Sequence, residues 1–161
     1  MTSSWHLFPW LTPRIPWVYD DGGRWVSGRR YRVGDCALRA CAIASRWPYL
    51  EVLERFQDLA RAERKPPHLR SHPEHGVYRR VYHRFLTRDL RARYRTTPPG
   101  TLLRVGVVPY RGRFVLSLAK HLTAVVDGVV HDTYHPCECG DRRVWSIYEV
   151  PDSSFNRAWR L

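Results

Sequence analysis

Lysine is almost absent from this strongly basic chain. Lys65 and Lys120 are the only lysines among 27 basic residues, the remainder being arginine, and 15 acidic residues leave a formal charge of +12. Arginine's planar fork binds phosphates and carboxylates in a bidentate manner that lysine cannot match. Genome-wide base composition also produces such a preference, so the charge alone chooses no partner among nucleic acid, anionic lipid and acidic protein. Side-chain amides are equally scarce, with Gln57 and Asn156 as the sole examples. No apolar run approaches the roughly 20 residues needed to cross a bilayer, which argues against a membrane-spanning role. The first residues lack the basic, apolar and cleavage-site succession of a signal peptide. With only Cys36, Cys41, Cys137 and Cys139 present, reduced thiols in a cytoplasmic setting are expected.

What is present suits one domain. A chain of 161 residues with 43% hydrophobic content can bury a single substantial core. Residues 1–20 alternate Trp5, Phe8, Trp10, Trp17 and Tyr19 with Pro9, Pro13 and Pro16, a pattern that forbids a regular helix and predicts an aromatic arm packed over the domain or gripping a partner. Residues 21–161 are expected to form the domain itself, helical over 36–95 and sheet over 101–150.

Within it, a short extended run is expected at Trp25 and Val26, after Gly22-Gly23. Helical spacing then predicts a helix from Cys36 to about Trp47-Pro48, a second over Tyr49–Ala60 and a third over 76–94. The third would bury Val77, Val81, Phe85 and Leu86 and turn Arg80, Arg84, Arg88 and Arg91 to solvent. Strands are expected at 101–108, 113–118, 122–126, 129–134 and 144–149, with Asp127-Gly128 as a two-residue hairpin turn. The resulting expectation is an α+β fold, N-terminal helices packed on a C-terminal antiparallel sheet.

Three residues carry the chemistry. Gly34-Asp35 closes the incoming loop, Asp35 is placed to cap the first turn, and Cys36 stands at the helix N-terminus, whose positive end favours a thiolate. Cys41, more than a turn further in, reads as a packing residue. The hairpin register sets Val126 opposite Val129, Ala124 opposite His131, Thr123 opposite Asp132 and His121 opposite Tyr134. Opposed residues share a face, so His121, Thr123 and Asp132 point together and His131 points away. A thiol, an imidazole and a carboxylate so placed form a nucleophile, a general base and acid, and an orienting group. A register slip of one residue would remove Asp132 from the set.

The segments Gly34-Asp35-Cys36-Ala37-Leu38-Arg39-Ala40, Gly112–Leu118 and His121–Asp132 resemble the papain-like cysteine peptidase superfamily, in particular its small bacterial and phage-type members and, distantly, bacteriocin-processing peptidases. The resemblance covers roughly residues 30–150 in order of elements. It implies a papain-like fold and a cysteine peptidase or related thiol hydrolase that cleaves an amide or isopeptide bond, with proteolysis favoured over transglutamination. Cys36, His121 and Asp132 would be catalytic, and no cofactor would be required. Papain-like enzymes commonly carry a Gln or Asn upstream of the cysteine for the oxyanion, and residues 1–35 contain neither. The backbone N–H of Cys36 would then supply one donor, with an arginine, a tryptophan or another backbone group as the second.

Other readings follow from the same residues. The excess of arginine points to an acidic peptide or protein substrate, and the span 61–95, eleven basic residues against three acidic, makes nucleic acid a second candidate partner. A noncatalytic nucleic-acid binder or protein-interaction module is therefore the alternative function. His135, Cys137 and Cys139 offer metal-ligand chemistry, but the single-residue cysteine spacing and the lack of a second pair disfavour a closed zinc site; a reduced loop is expected.

Overall fold

The computed structural model describes residues 13–30 and 34–153. Three α-helices, α1 (Cys36–Ser45), α2 (Tyr49–Arg61) and α3 (Arg79–Arg84), cover one face of a sheet of six strands. The strands are β1 (Trp17–Tyr19), β2 (Arg93–Thr96), β3 (Arg113–Leu118), β4 (His121–Val126), β5 (Val129–Asp132) and β6 (Val144–Val150), ordered β1-β5-β4-β3-β6-β2. The class is α+β.

The sheet corrects one expectation. It is mixed, not purely antiparallel, because β1 runs parallel to β5, with Val18 opposite His131. The described end of the expected arm is thus an edge strand of the domain, and its preceding residues 1–12 lie outside the described residues. A three-residue strand preceded by Pro13 and Pro16 carries no sheet signal of its own. Its pairing is set by a partner more than a hundred residues away.

Helix α1 occupies the centre. Ala37 through Ser45 are all buried, as expected of a helix made almost wholly of small and apolar side chains. Its end is fixed by Arg46 in the left-handed conformation, φ 58°, followed by Pro48, a usual helix stop. Arg113 of β3 donates to the carbonyls of Ile43 and Ala44, satisfying acceptors that the last turn cannot. Leu38, Val52, Phe56, Phe85 and Leu86 then pack with Val115, Ala124 and Tyr148 as the core between helices and sheet.

A second apolar layer covers the opposite face, where Phe114, Leu116, Val125, Val130 and Ile147 meet Ile15, Leu103, Val108 and Cys137. It explains why 101–108 is not the expected strand. Its leucines and valines anchor a loop on the sheet, while Gly106, at φ 84°, and Pro109 break the extended run. Only isolated bridges, Leu102 to Arg143 and Arg104 to Arg14, remain. The expected third helix is likewise shorter. It passes from α3 into a π-helical turn over Phe85–Asp89, and Arg91, at φ 56°, ends it, so that Arg93–Thr96 pairs with β6 as β2. The expected extended run at Trp25-Val26 is a series of turns.

The β4–β5 hairpin follows the sequence closely. Val126, Val125 and Ala124 pair with Val129, Val130 and His131 around a turn in which Asp127 and Gly128 have φ of 46° and 78°, the conformation that this dipeptide favours. The strand ends at Asp132, earlier than the expected 134. Tyr134 nevertheless lies against His121, ring centroids 5.1 Å apart.

Candidate active site

The N-terminus of α1 abuts the end of the sheet where β4 begins, and this junction brings Cys36, His121 and Asp132 together. His121 Nε2 lies 2.7 Å from Asp132 Oδ2. That commits Nε2 to the carboxylate and leaves Nδ1 as the ring nitrogen available to the sulfur. Cys36 and His121 interact directly through their side chains, and the backbone N–H of Leu122 donates to the same sulfur.

Electrostatics follow from this contact. Burial alone would push the Cys36 thiol up, but the hydrogen bond and charge of His121, the Leu122 N–H and the nearby Arg39 reverse it, and the thiol sits below its ordinary value. Burial likewise opposes the charge on His121, yet the hydrogen bonds to Asp132 and Cys36 raise it to about 9. Asp132 is held below the ordinary carboxylate range because His121 and Arg39 outweigh its desolvation. Both shifts run toward a thiolate beside an imidazolium, the activated form of such a pair. Cys41 behaves oppositely: complete burial pushes its thiol well up, and it packs in the core as expected.

Arg39 is the residue that sequence reasoning missed. Its guanidinium is buried, donating from Nε to Asp35 Oδ1 at 3.0 Å and from Nη1 to Asp132 Oδ1 at 2.9 Å and Thr133 Oγ1 at 2.7 Å. Asp35 is fully buried and also accepts from Tyr49 Oη, 2.8 Å, and Arg24, 3.3 Å. Its carboxylate therefore does not cap α1 as expected, although its carbonyl accepts the Arg39 N–H of the first turn. The resulting chain of contacts runs from Arg24 and Tyr49 through Asp35, Arg39, Asp132 and His121 to Cys36. A signal was present in the sequence: an arginine inside an apolar run, four residues after an aspartate.

Two loops press on this network. Gly22 sits so close to α1 that a Cβ there would come within 3.0 Å of the Arg39 carbonyl oxygen, and its φ is +64°. Gly34 leaves no room either, since a Cβ would lie 2.9 Å from the His75 carbonyl oxygen. The 72–76 turn is thereby brought beside the cysteine. Between this turn, α3 and the β3–β4 turn opens a cleft of about 590 Å³, into which Cys36 and His121 face together with Tyr78, Tyr82, Lys120 and Tyr134.

The remaining candidates are placed elsewhere. His131 points to the other face of β5, where Asp20 holds its Nδ1 at 2.9 Å. Asp127 serves its turn by accepting the Gly112 N–H. His135 uses both ring nitrogens locally: Nδ1 accepts from the Cys137 N–H, and Nε2 donates to the Ile15 carbonyl. Cys137 is buried and Cys139 exposed, and all four thiols are free. Among the described residues, no three His, Cys, Asp or Glu side chains converge as metal ligands, and no helix is long and apolar enough to cross a membrane.

Comparison of the chain with protein-family models, curated proteins and solved structures finds no match in any of the three.

Proposed function

We propose that this protein is a papain-like thiol hydrolase that cleaves an amide or isopeptide bond through an acyl-enzyme. The observation that carries the reading is the relay Cys36–His121–Asp132, its histidine and aspartate buried and its half-buried sulfur opening on a cleft. In the proposed reaction the Cys36 thiolate attacks the carbonyl carbon, forming the C–S bond and moving the π electrons to oxygen. Collapse of this intermediate expels the amine, which takes its proton from the His121 imidazolium. Neutral His121 then draws a proton from water as the water attacks the thioester, and loss of the carboxylic acid restores the thiolate. Asp132 keeps the proton on Nε2 and aims Nδ1 at the sulfur. The oxyanion would meet the backbone N–H of Cys36, which lies in the first helical turn, where intrahelical acceptors are lacking.

The direct test is to incubate the protein with a peptidyl thiol-directed acylating probe and locate the adduct by mass spectrometry. Selective modification of Cys36 is expected; equal modification of all four cysteines, or of Cys139 alone, would refute the reading. The pH profile adds a second expectation. Because the lowered thiol and the raised imidazole titrate as a coupled pair, activity should persist below the pH at which an ordinary thiol takes up its proton. It should be lost on the alkaline side as His121 gives up its proton at about 9. Rates that merely climb with pH, in step with a free thiol, would contradict an ion pair.

The alternative, a noncatalytic nucleic-acid-binding or protein-interaction module, draws on a separate opening of about 440 Å³ lined by Arg64, Arg80 and Arg84 together with Glu63. Among the described residues no carboxylate pairs with these three arginines. Retention on immobilised RNA or DNA that vanishes with salt, together with an inert Cys36, is the outcome that would favour it.

A further inference from the structure

Apart from the Cys36 sulfur itself, the charged side chains lining the cleft have one sign. Lys120 and Arg79 are exposed and line it, and its lining includes no Asp or Glu. Asp132, which lies behind His121, is committed to His121 and Arg39. Glu74, on the neighbouring turn, is drawn aside by Arg29 at 3.5 Å. Arg79 is held by neutral hydroxyls, hydrogen bonding to Tyr94 and Tyr148. Those contacts leave its charge without a carboxylate partner.

Lys120 is the more telling of the two. It is the second residue of the two-residue turn joining β3 to β4, between the paired Leu118 and His121, and it adopts φ 54°. That left-handed position normally falls to Gly, Asn or Asp. A long basic side chain there, immediately before the imidazole, is a departure from turn chemistry of the kind that gathers at functional sites. Arg142 adds to the effect by donating to the Ala119 carbonyl, 2.6 Å, in the same turn. Among the described residues no carboxylate answers Lys120 or Arg79.

We propose that Lys120 and Arg79 recognise a carboxylate close to the scissile bond, so that the cleft selects substrates bearing an acidic side chain or a free chain terminus beside the attacked carbonyl. The inference rests on the thiol-hydrolase reading, since it concerns the substrate of that centre. Arginine supplies a directed fork and lysine a compact, mobile charge, which together hold one carboxylate oriented without a deep pocket. The preference should weaken with ionic strength, as exposed charge interactions do.

The test compares alkylation of Cys36 by iodoacetamide and by iodoacetate, reagents of similar size of which only the second carries a carboxylate. In both, the sulfur displaces iodide from the same methylene carbon. The iodoacetate-to-iodoacetamide rate ratio, referred to that of glutathione, reports the local attraction for a carboxylate. Lys120→Asn suits the left-handed turn and should lower this ratio roughly two- to fivefold at low salt, the range of an exposed charge pair. Adding Arg79→Gln should lower it further. A ratio unchanged in both variants overturns the inference while selective alkylation of Cys36 by iodoacetamide leaves the hydrolase reading intact. If iodoacetamide does not single out Cys36, the underlying reading fails and the inference fails with it.

Tripeptide vinyl sulfones identify the source of the carboxylate. Faster inactivation by an Asp-containing peptide than by its Asn counterpart assigns an acidic side chain. Faster inactivation by a peptide with a free carboxyl end than by its carboxamide assigns a chain terminus. Indifference to both changes overturns the proposal.

Discussion

Replacing His121 with alanine is expected to slow acylation of Cys36 near neutral pH by about 10²- to 10⁴-fold, the usual contribution of a positioned acid–base group. The effect has two sources. The sulfur loses the hydrogen bond and positive charge that hold it ionised, and the leaving amine loses its proton donor. The variant should still fold, because Asp132 keeps Arg39 Nη1 at 2.9 Å and the Thr133 N–H at 2.8 Å. Exposed Cys139 provides an internal reference, as its reaction with a small electrophile should not respond. The gap between wild type and variant should narrow in alkali, where an ordinary thiol ionises near 9.0 unaided. Identical rates and pH profiles for Cys36 in the two proteins would remove the basis of the enzyme assignment.

The largest effect on stability should come from Arg39→Ala. The substitution leaves two buried carboxylates, Asp35 and Asp132, facing a void without their shared cation. Removing one partner of a buried ion pair typically costs about 3–5 kcal/mol, against a total stability of roughly 5–15 kcal/mol for a domain. At about 2–4 °C per kcal/mol for this chain length, the melting midpoint should fall by ~6–20 °C. Arg39→Lys separates charge from geometry, since one ammonium cannot reproduce contacts that Nε and Nη1 make to two aspartates at once. It should melt between the other two and show the acid limb of Cys36 reactivity displaced upward, because Asp132 then holds His121 less firmly. An Arg39→Ala midpoint within a degree or two of wild type would mean that the carboxylates find other partners and that the relay does not depend on Arg39.

How far the sequence discloses the site depends on the range of the interactions involved. The Asp127-Gly128 turn is local, and a two-residue loop between β-branched runs fixes strand register. His121 and Asp132 were therefore readable as neighbours, with His131 on the other face. The thiol at the start of α1 was readable for a similar reason, because small apolar residues followed by Trp47-Pro48 mark both ends of the helix. The bridge made by Arg39 was not, since its partners Asp132 and Thr133 come 93 and 94 residues later, and the Asp35–Arg39 spacing marks only the local half of its contacts. Arg93 and Tyr94, the first half of β2, were misread as helix because the basic, apolar alternation of the preceding helix continues into them past the left-handed Arg91. The 101–108 segment failed differently: its apolar residues are buried as expected, but against the sheet instead of within it.

The short parallel edge strand has a consequence for assembly. Trp17 Nε1 and the Asp20 N–H both donate to the Asp132 carbonyl, across separations of 115 and 112 residues, at 3.1 and 3.0 Å. The earliest described strand thus buttresses one of the last groups of the relay to be synthesised. While the chain is emerging from the ribosome, the sulfur at position 36 lacks both its imidazole and that brace, and it has the chemistry of any unperturbed cysteine. The contact of Cys36 with His121 and Asp132 forms only once the β4–β5 hairpin docks on α1, so the site is completed late in synthesis.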